Sequence, residues 1–337
     1  MHLYCIGIDY RSAPLEAREA AYRKRLRIAE FWRRHASGEA AMLVTCNRIE
    51  VYVIARTKDD ALRQSEQFIR YFAEFRLGYV LSGQEEVFTH ALRLACGLES
   101  QLKGEWQIVE QLKHWIAQPG MPYLPTKLFS EALSLAKVIR QKVGLAEQGD
   151  SIADLVLSDI QEKFSPSVQP EIAVVGTGKI AELFTKQRTA EGRISFVAHK
   201  HYALARAFAA KTRSKAISFI ELPCVLKNTD VVISATASPH FVIKKEIVTQ
   251  ALAKRSRPLY LYDLAMPRDI EPAVAELPNA VLYNLDDLSG LFGLRNQRLR
   301  RQIDLVEYLA KEAAGEYRGV WNEGNSENRH TAERACL

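Results

Sequence analysis

The chain has 337 residues, 47% of them hydrophobic and 26% charged, with a formal net charge of +6 at neutral pH. That length accommodates two or three domains with separate cores, and the near-average composition suggests neither a disordered chain nor a membrane protein. The positive balance suits a polyanionic partner such as RNA, but it is also common in proteins that bind none.

In chain order, LYCIGI (3–8) and MLVTCNRIEVYVI (42–54) read as strands, with a charged helix between them from about Leu15 to His35 and another at about 59–76. This opening predicts a small α/β module. Helices follow over GQEEVFTHALRLAC, closing at Gly97; over GEWQIVEQLKHWIAQ, stopped by Pro119 and Gly120; and over TKLFSEALSLAKVIRQKV, closing at Gly144. Glycine just past the last periodic residue is the expected helix stop. A helix from Ser151 to about Phe164 leads into SPSVQP, the best linker candidate.

Beyond it, EIAVVGTGKIAELFTKQ reads as strand, glycine turn and helix, and RISFVAH, DVVISATAS and PLYLYDLA are further short apolar runs. Strands alternating with helices argue for a parallel sheet covered on both faces. From Asp286 to about Trp321 the pattern is one long, partly exposed helix with apolar residues at Leu305, Leu309 and Ala313, and the tail beyond it is polar. No apolar run reaches the roughly 18 residues of a membrane span. MHLYCIGIDYRSAP also lacks the features of a signal peptide, so a cytoplasmic protein without membrane contact is expected.

The cysteines, Cys5, Cys46, Cys96, Cys224 and Cys336, are odd in number, scattered and never paired as CxxC. That argues against a disulfide framework and a zinc site, and leaves chemistry to single thiols. Cys46 has polar neighbours, Thr45, Asn47 and Arg48, unusual for a strand cysteine that merely packs. A thiol reacts as thiolate, and nearby cations favour that form. Arg48, two residues on, lies on the same face of an extended strand, where it can lower the thiol pKa or grip a substrate carboxylate. His90, inside an amphipathic helix, is either a structural histidine or the base of a Cys/His pair.

In VVGTGKIA, Gly176, Gly178 and Ala181 fit G-x-G-x-x-A directly after a strand and at the opening of a helix. There, glycines allow a tight turn and close approach of backbone N–H groups to a pyrophosphate, with Thr177, Lys179 and Ile180 in the same turn. At the end of the second strand, where an NAD site presents a carboxylate, this chain has His199, Lys200 and His201. Those cations favour the 2′-phosphate of NADP, unless they form only a solvated basic loop. A thiol nucleophile and a hydride carrier together point to reduction of an acyl-thioester, or its reverse.

At this point the sequence resembles the glutamyl-tRNA reductase family over residues 3 to 315. The resemblance rests on GIDYRSAP (7–14), TCNRIEVY (45–52), GLESQLKGEWQIVEQLK (97–113), VVGTGKIAE (174–182), DVVISATASP (230–239), DLAMPRDIEPAV (263–274) and YNLDDL (283–288). It implies an N-terminal α/β catalytic, glutamyl-recognising domain (1–150), a Rossmann-like NADPH-binding domain with a parallel sheet (151–285), and a long C-terminal spinal helix (about 286–320) with a truncated dimerisation region (286–337 together). It further implies NADPH-dependent reduction of glutamyl-tRNA to glutamate-1-semialdehyde through a Cys46 thioester, the first step of five-carbon tetrapyrrole synthesis.

By the same resemblance Cys46 is the nucleophile and His90 the active-site histidine. Thr45, Asn47, Arg48, Ser100, Glu105 and Gln107 belong to the glutamyl-recognition site, Arg48 giving specificity. Gly176 and Gly178 hold NADPH, and Ser234, Thr236 and Ser238 lie in a loop facing it. The implied partners are glutamyl-tRNA, a second copy in a V-shaped homodimer, and the aminomutase that consumes the semialdehyde. The chain departs from the family in Asp9, Tyr10, Arg11 and Ser12, where Asn-His-Lys-Thr is usual, and in Trp106, where Pro is usual. Family members also continue into a helical dimerisation domain beyond this C-terminus, so a weakened dimer is expected. The competing readings are a non-catalytic tRNA-binding paralogue and an NADP dehydrogenase of the shikimate type.

Overall fold

The computed structural model describes residues 1–145, 151–165, 167–186, 193–253 and 255–317. They divide into two units, Met1–Gly149 with Phe292–Leu337, and Asp150–Leu291.

The first unit is built on four antiparallel strands in the order β2-β3-β1-β4: β1 (His2–Asp9), β2 (Ala40–Val44), β3 (Arg48–Ala55) and β4 (Tyr79–Ser82). Strand side chains alternate between faces. On one face Tyr4, Ile6, Ile8, Ile49 and Val51 meet Phe31, Trp32 and Phe68 from α2 (Arg25–His35) and α3 (Lys58–Tyr71). On the other, Leu3, Cys5, Tyr52 and Ile54 meet α4 (Gln84–Ala95), α5 (Gln107–Ile116) and α6 (Tyr123–Lys142). With both faces covered, β1 is apolar nearly throughout, which is why it reads so clearly as a strand.

Three expectations in this unit are corrected. The helix expected over 15–35 is two, α1 (Leu15–Arg23) and α2, because the backbone leaves the helical region at Lys24 (φ −91°, ψ 2°). The strand expected over 42–54 is the β2–β3 hairpin, with TCN at its tip. The helix expected from Gly104 begins only at Gln107, since Gly104 has φ +72°, outside the helical region. The four-residue strand β4 carries too little pattern to be read from sequence.

The expected single helix from 286 is α12 (Ser289–Arg298) and α13 (Arg300–Glu316), interrupted at Leu299, and from Phe292 onward it belongs with the first unit. Its buried face is Val306, Ala310 and Ala314, one residue beyond the expected Leu305, Leu309 and Ala313; Leu305 is exposed. α13 packs on α4 and α6, and the Tyr317 ring stacks on Phe88 at 3.6 Å. Residues 318–337, including the polar tail and Cys336, lie outside the described residues.

The second unit holds six parallel strands in the order β10-β9-β8-β5-β6-β7: β5 (Glu171–Val175), β6 (Arg193–Ala198), β7 (Lys215–Ile217), β8 (Val231–Ser234), β9 (Leu259–Asp263) and β10 (Ala280–Asn284). This is the doubly wound order, which reverses between β5 and β8 and opens a crevice there. It is the expected Rossmann-like α/β domain with a parallel sheet. The helix α7 (Ile152–Lys163) opens this unit ahead of SPSVQP, started by a reciprocal cap in which the Ser151 hydroxyl accepts from the Asp154 amide and the Asp154 carboxylate accepts from the Ser151 amide. No described helix is long and apolar enough to cross a membrane.

Candidate functional site

The β2–β3 hairpin closes when Thr45 N–H donates to the Arg48 carbonyl at 2.9 Å, leaving Cys46 and Asn47 as its tip. The Asn47 amide donates to Thr45 Oγ1 (3.2 Å), Arg18 Nη1 donates to the Cys46 carbonyl (3.3 Å), and the Tyr10 amide donates to the Asn47 carbonyl (3.0 Å). A short turn with both tip carbonyls occupied holds the thiol in one place. Cys46 is half-buried rather than seated in a strand. Burial first, then the negative charge of Glu105, push its thiol up to about 12 against the pull of Arg18 and Arg48. Free of substrate, Cys46 is a thiol, not the resting thiolate that its cationic neighbours suggest.

Period-two alternation along β3 places Arg48, Glu50 and Tyr52 on one face, toward α4. Glu50 is fully buried and accepts from four groups: Arg48 Nη1 (2.9 Å), His90 Nε2 (2.9 Å), Tyr52 Oη (2.6 Å) and Tyr79 Oη (2.6 Å). Burial opposes its charge, but His90 and Arg48 overcome this and hold the carboxyl far below its ordinary range. Tyr79 reaches Glu50 across β1 because residue 7 between them is glycine. A Cβ there would lie 2.8 Å from Glu50 Cγ and 3.0 Å from the Tyr79 ring.

Two expectations change here. Arg48 is fully buried, with Nη1 on Glu50 and Nη2 on the Glu99 carbonyl, so it does not open onto a substrate pocket. His90 is bound to Glu50 and not to Cys46. Its remaining exposure is toward a cleft of about 920 Å³ between α4 and α13, shared with Arg93, Tyr308 and Lys311.

The loop 98–105 closes the other side of the hairpin tip. Gln101 Nε2 donates to Asn47 Oδ1 (3.4 Å), and the Ser100 hydroxyl donates to Glu105, whose carboxyl burial raises. Gln107, the first residue of α5, is half-buried. The unusual Asp9-Tyr10-Arg11-Ser12 segment docks on this same loop. Arg11 bridges Asp9 (2.7 Å) and Glu99, Arg93 Nε donates to Glu99 (2.6 Å), and Tyr10 Oη donates to the Ser100 carbonyl (3.3 Å). Glu99 is held down to about 2, since the charges of His90, Arg11 and Arg93 outweigh its burial. Trp106 packs on the core with Arg140 and Lys113 over its ring at 5.2 and 5.1 Å, a cationic setting a proline cannot offer.

In the second unit the turn after β5 carries Gly176, Thr177 and Gly178, followed by Lys179 and Ile180 at the start of α8 (Lys179–Lys186). Gly176 has φ +107°, and a Cβ there would lie 2.5 Å from the Ala235 carbonyl oxygen, so β5 and β8 approach as only glycine allows. A Cβ on Gly178 would meet nothing within 4 Å, which leaves open space at the helix start, as a dinucleotide pyrophosphate needs. Past β6, Lys200 is exposed, and burial together with the neighbouring His201 and Lys200 charges lowers the His199 pKa against its bond to the His201 backbone.

The loop after β8 is anchored from a distant turn. The hydroxyls of Ser234 (2.8 Å) and Thr236 both donate to Asp269, while the Thr236 methyl group lies beside the Gly176 turn. Asp269 is buried, as is Asp263, whose carboxylate accepts from the Ala265 and Ile270 amides and which burial pushes up to about 7.

Thus the structure brings Thr45, Cys46, Asn47, Arg48, Ser100 and Glu105 around one hairpin tip and puts His90 behind Glu50. The glycine turn, His199 and Lys200 lie at the ends of β5 and β6. Sequence reasoning passed over Glu50, Glu99 and Asp269. Only Glu50 had a readable signal, its two-residue offset from Arg48.

Residues 6–143 match the family model of the glutamyl-tRNA(Glu) reductase N-terminal domain, and residues 159–291 match that of shikimate/quinate 5-dehydrogenase. A glutamyl-tRNA reductase of Thermus thermophilus is 35% identical over 94% of this chain and 80% of its own length. One of Marinobacter nauticus is 36% identical over 93% of this chain and 74% of its own. Among solved structures, glutamyl-tRNA reductase from Methanopyrus kandleri aligns over 93% of this chain and 78% of that one at 28% identity, with a TM-score of 0.45.

Proposed function

The chain belongs to the glutamyl-tRNA reductase family, and from that premise we propose that it reduces glutamyl-tRNA to glutamate-1-semialdehyde through a thioester on Cys46, with NADPH as reductant. The observation that carries this reading is the pinned Cys46–Asn47 tip, with the thiol under the influence of Arg18, Arg48 and Glu105.

The glutamyl ester is already activated, so no other energy source is needed. The Cys46 sulfur bonds to the ester carbon, the bond from that carbon to the tRNA ribose oxygen breaks, and the thiol proton passes to that oxygen. Glu105, whose carboxyl burial raises and whose charge acts on the Cys46 thiol, carries the proton, and the Ser100 hydroxyl donates to it. Arg18 and Arg48 stabilise negative charge on sulfur as the proton leaves. The Glu50 bond fixes the tautomer and orientation of His90. NADPH, when bound, supplies the hydride that takes the thioester carbon to the aldehyde. Cys46 then departs as thiolate and regains a proton from solvent.

The nucleotide-binding turn in the second unit fits such a cofactor, since Gly176 permits the close approach of β5 to β8 and Gly178 keeps the helix start open. The choice of NADPH over NADH rests on Lys200, the cation at the end of β6 where an NAD site has a carboxylate. Family membership also supports a homodimer and transfer of the semialdehyde to an aminomutase.

Purified protein given glutamyl-tRNA and NADPH is expected to form the semialdehyde, and a single turnover without NADPH to leave glutamate on Cys46. Cys46→Ser should abolish both while tRNA binding persists. A wild-type protein that binds glutamyl-tRNA yet yields neither product sinks the proposal in favour of a tRNA-binding paralogue.

A further inference from the structure

We infer that the pocket between α5 and α6, walled by Trp106, binds a small amphipathic anion: a flat ring system that carries a carboxylate or a phosphate. This site is separate from the one around Cys46, and its failure would leave the reading of Cys46 standing.

Helical spacing builds the pocket. On α5, Val109 and Lys113 are four residues apart and share a face; on α6, Leu133, Ala136, Lys137 and Arg140 fall at i, i+3, i+4 and i+7. Val109 and Ala136 are buried, Leu133 is half-buried, and Lys113 and Lys137 are exposed, so each helix supplies apolar wall and cationic rim. Trp106 lies half-buried beside them, with Lys113 Nζ 5.1 Å and the Arg140 guanidinium 5.2 Å from its ring centroid. The enclosed volume is about 430 Å³. Small-molecule sites span roughly 300–1,000 Å³.

The charge of the lining is one-sided. Lys113, Lys137 and Arg140 are all cationic, and among the described residues no Asp or Glu lines the pocket. In the cleft between α4 and α13, by contrast, Arg93 and Lys311 are balanced by Glu85, Glu86, Asp304 and Glu307. Arg140 is 3% exposed, and its Nη1 and Nη2 donate to the neutral carbonyls of Cys96 (2.7 Å) and Gly104 (3.0 Å), which fix the guanidinium in place. Lys113 meets Glu110 at 2.9 Å, but both side chains are 52% exposed, and an ion pair so open to water yields readily to a better-placed anion. The Trp106 ring attracts its two cations without cancelling their charge, as a carboxylate would. Positive charge at the rim selects an anion, and the indole and aliphatic walls select a ring. A simple ion or a neutral hydrocarbon would use only half of the site.

The test is calorimetric titration of the whole chain with 2-naphthoate and 2-naphthyl phosphate, with and without NADPH. At least one of the two should bind with a dissociation constant between about 10 μM and 1 mM. Either anion supports the site, and the tighter one names its headgroup. 2-Naphthamide, the same ring without the charge, should bind about tenfold more weakly or worse. Trp106→Pro, which restores the residue usual at this position, and Lys113→Gln combined with Lys137→Gln should each weaken the anion by about tenfold. Thermal unfolding verifies both variants, and the lysine pair, exposed on the surface, carries the test if Trp106→Pro does not fold. NADPH should leave the titration unchanged. The inference is overturned if neither anion binds at millimolar concentration, if the amide binds as tightly as the carboxylate, or if the variants bind like the wild type. Displacement by NADPH would place the ligand in the second unit and overturn it as well.

Discussion

The two units build their candidate sites in opposite ways. Around Cys46 the first unit uses side chains held by other buried side chains, with Glu50 alone accepting from four donors. At the β5–β8 crevice the second unit uses glycine, so that backbone comes close on one side and space is left on the other. In the first, removing a functional group also strands its partners, and stability falls with activity. In the second, binding and stability are separable, because they rest on different glycines.

The largest effect is expected where the contrast is sharpest. Glu50→Ala leaves the Arg48 guanidinium buried without its carboxylate and frees His90, Tyr52 and Tyr79. Breaking a buried ion pair in this way costs about 3–5 kcal/mol. Urea denaturation should show the first unit destabilised by that amount, and activity should fall with it. A variant as stable as the wild type would mean that water reaches Glu50 in solution and that its four bonds count for little.

Two buried carboxyls, one in each unit, should also respond to pH with opposite sign. Glu99 has its carboxyl lowered to about 2, so its contribution to the first unit is present above the ordinary carboxylate range and is lost as pH falls from there toward 2. Asp263 has its carboxyl raised to about 7. The folded second unit then holds a proton that the unfolded chain releases, so its contribution is complete below about pH 4 and is lost as pH rises toward 7, by on the order of 2–4 kcal/mol. Hydrogen exchange at the Ala265 and Ile270 amides that bind Asp263, from pH 4 to 8, should show protection weakening as pH rises. Asp263→Asn should flatten that slope. An unchanged slope in Asp263→Asn would contradict the assignment.

How much of this was legible in the sequence follows the same division. The glycine turn could be read directly, because a strand, two glycines and a helix start are local features whose physical demands are local. The strand 42–54 was misread because a buried hairpin and a buried strand have the same apolar run, and nothing local marks Cys46–Asn47 as a tip. Arg48 looked like an open cation because its partners, Glu50 and the Glu99 carbonyl, meet it only through a sheet face and a loop some 50 residues on. Leu305 and Val306 show the same limit: both are apolar and adjacent, and only packing on α4 selects Val306. Ser234 and Thr236 could be placed in the right loop, but their bonds to Asp269, on a distant turn, could not be read.

The smallest effect is the most discriminating, since it separates two glycines that sequence treats alike. Gly176→Ala adds a Cβ that would lie 2.5 Å from the Ala235 carbonyl, at a φ of +107° that alanine rarely adopts. Strain of that kind costs about 1–3 kcal/mol, so both the melting temperature and NADPH affinity should fall. Gly178→Ala meets no protein atom within 4 Å and lies outside the positive-φ positions, so its melting temperature should match the wild type. Its methyl group would project into the space where backbone and pyrophosphate must meet, and NADPH binding measured by fluorescence titration should weaken all the same. If Gly178→Ala binds NADPH as tightly as the wild type, the pyrophosphate does not approach residue 178. The crevice would then hold the cofactor through Gly176 and the Ser234–Thr236 loop, in which backbone shape rather than open space is the binding feature.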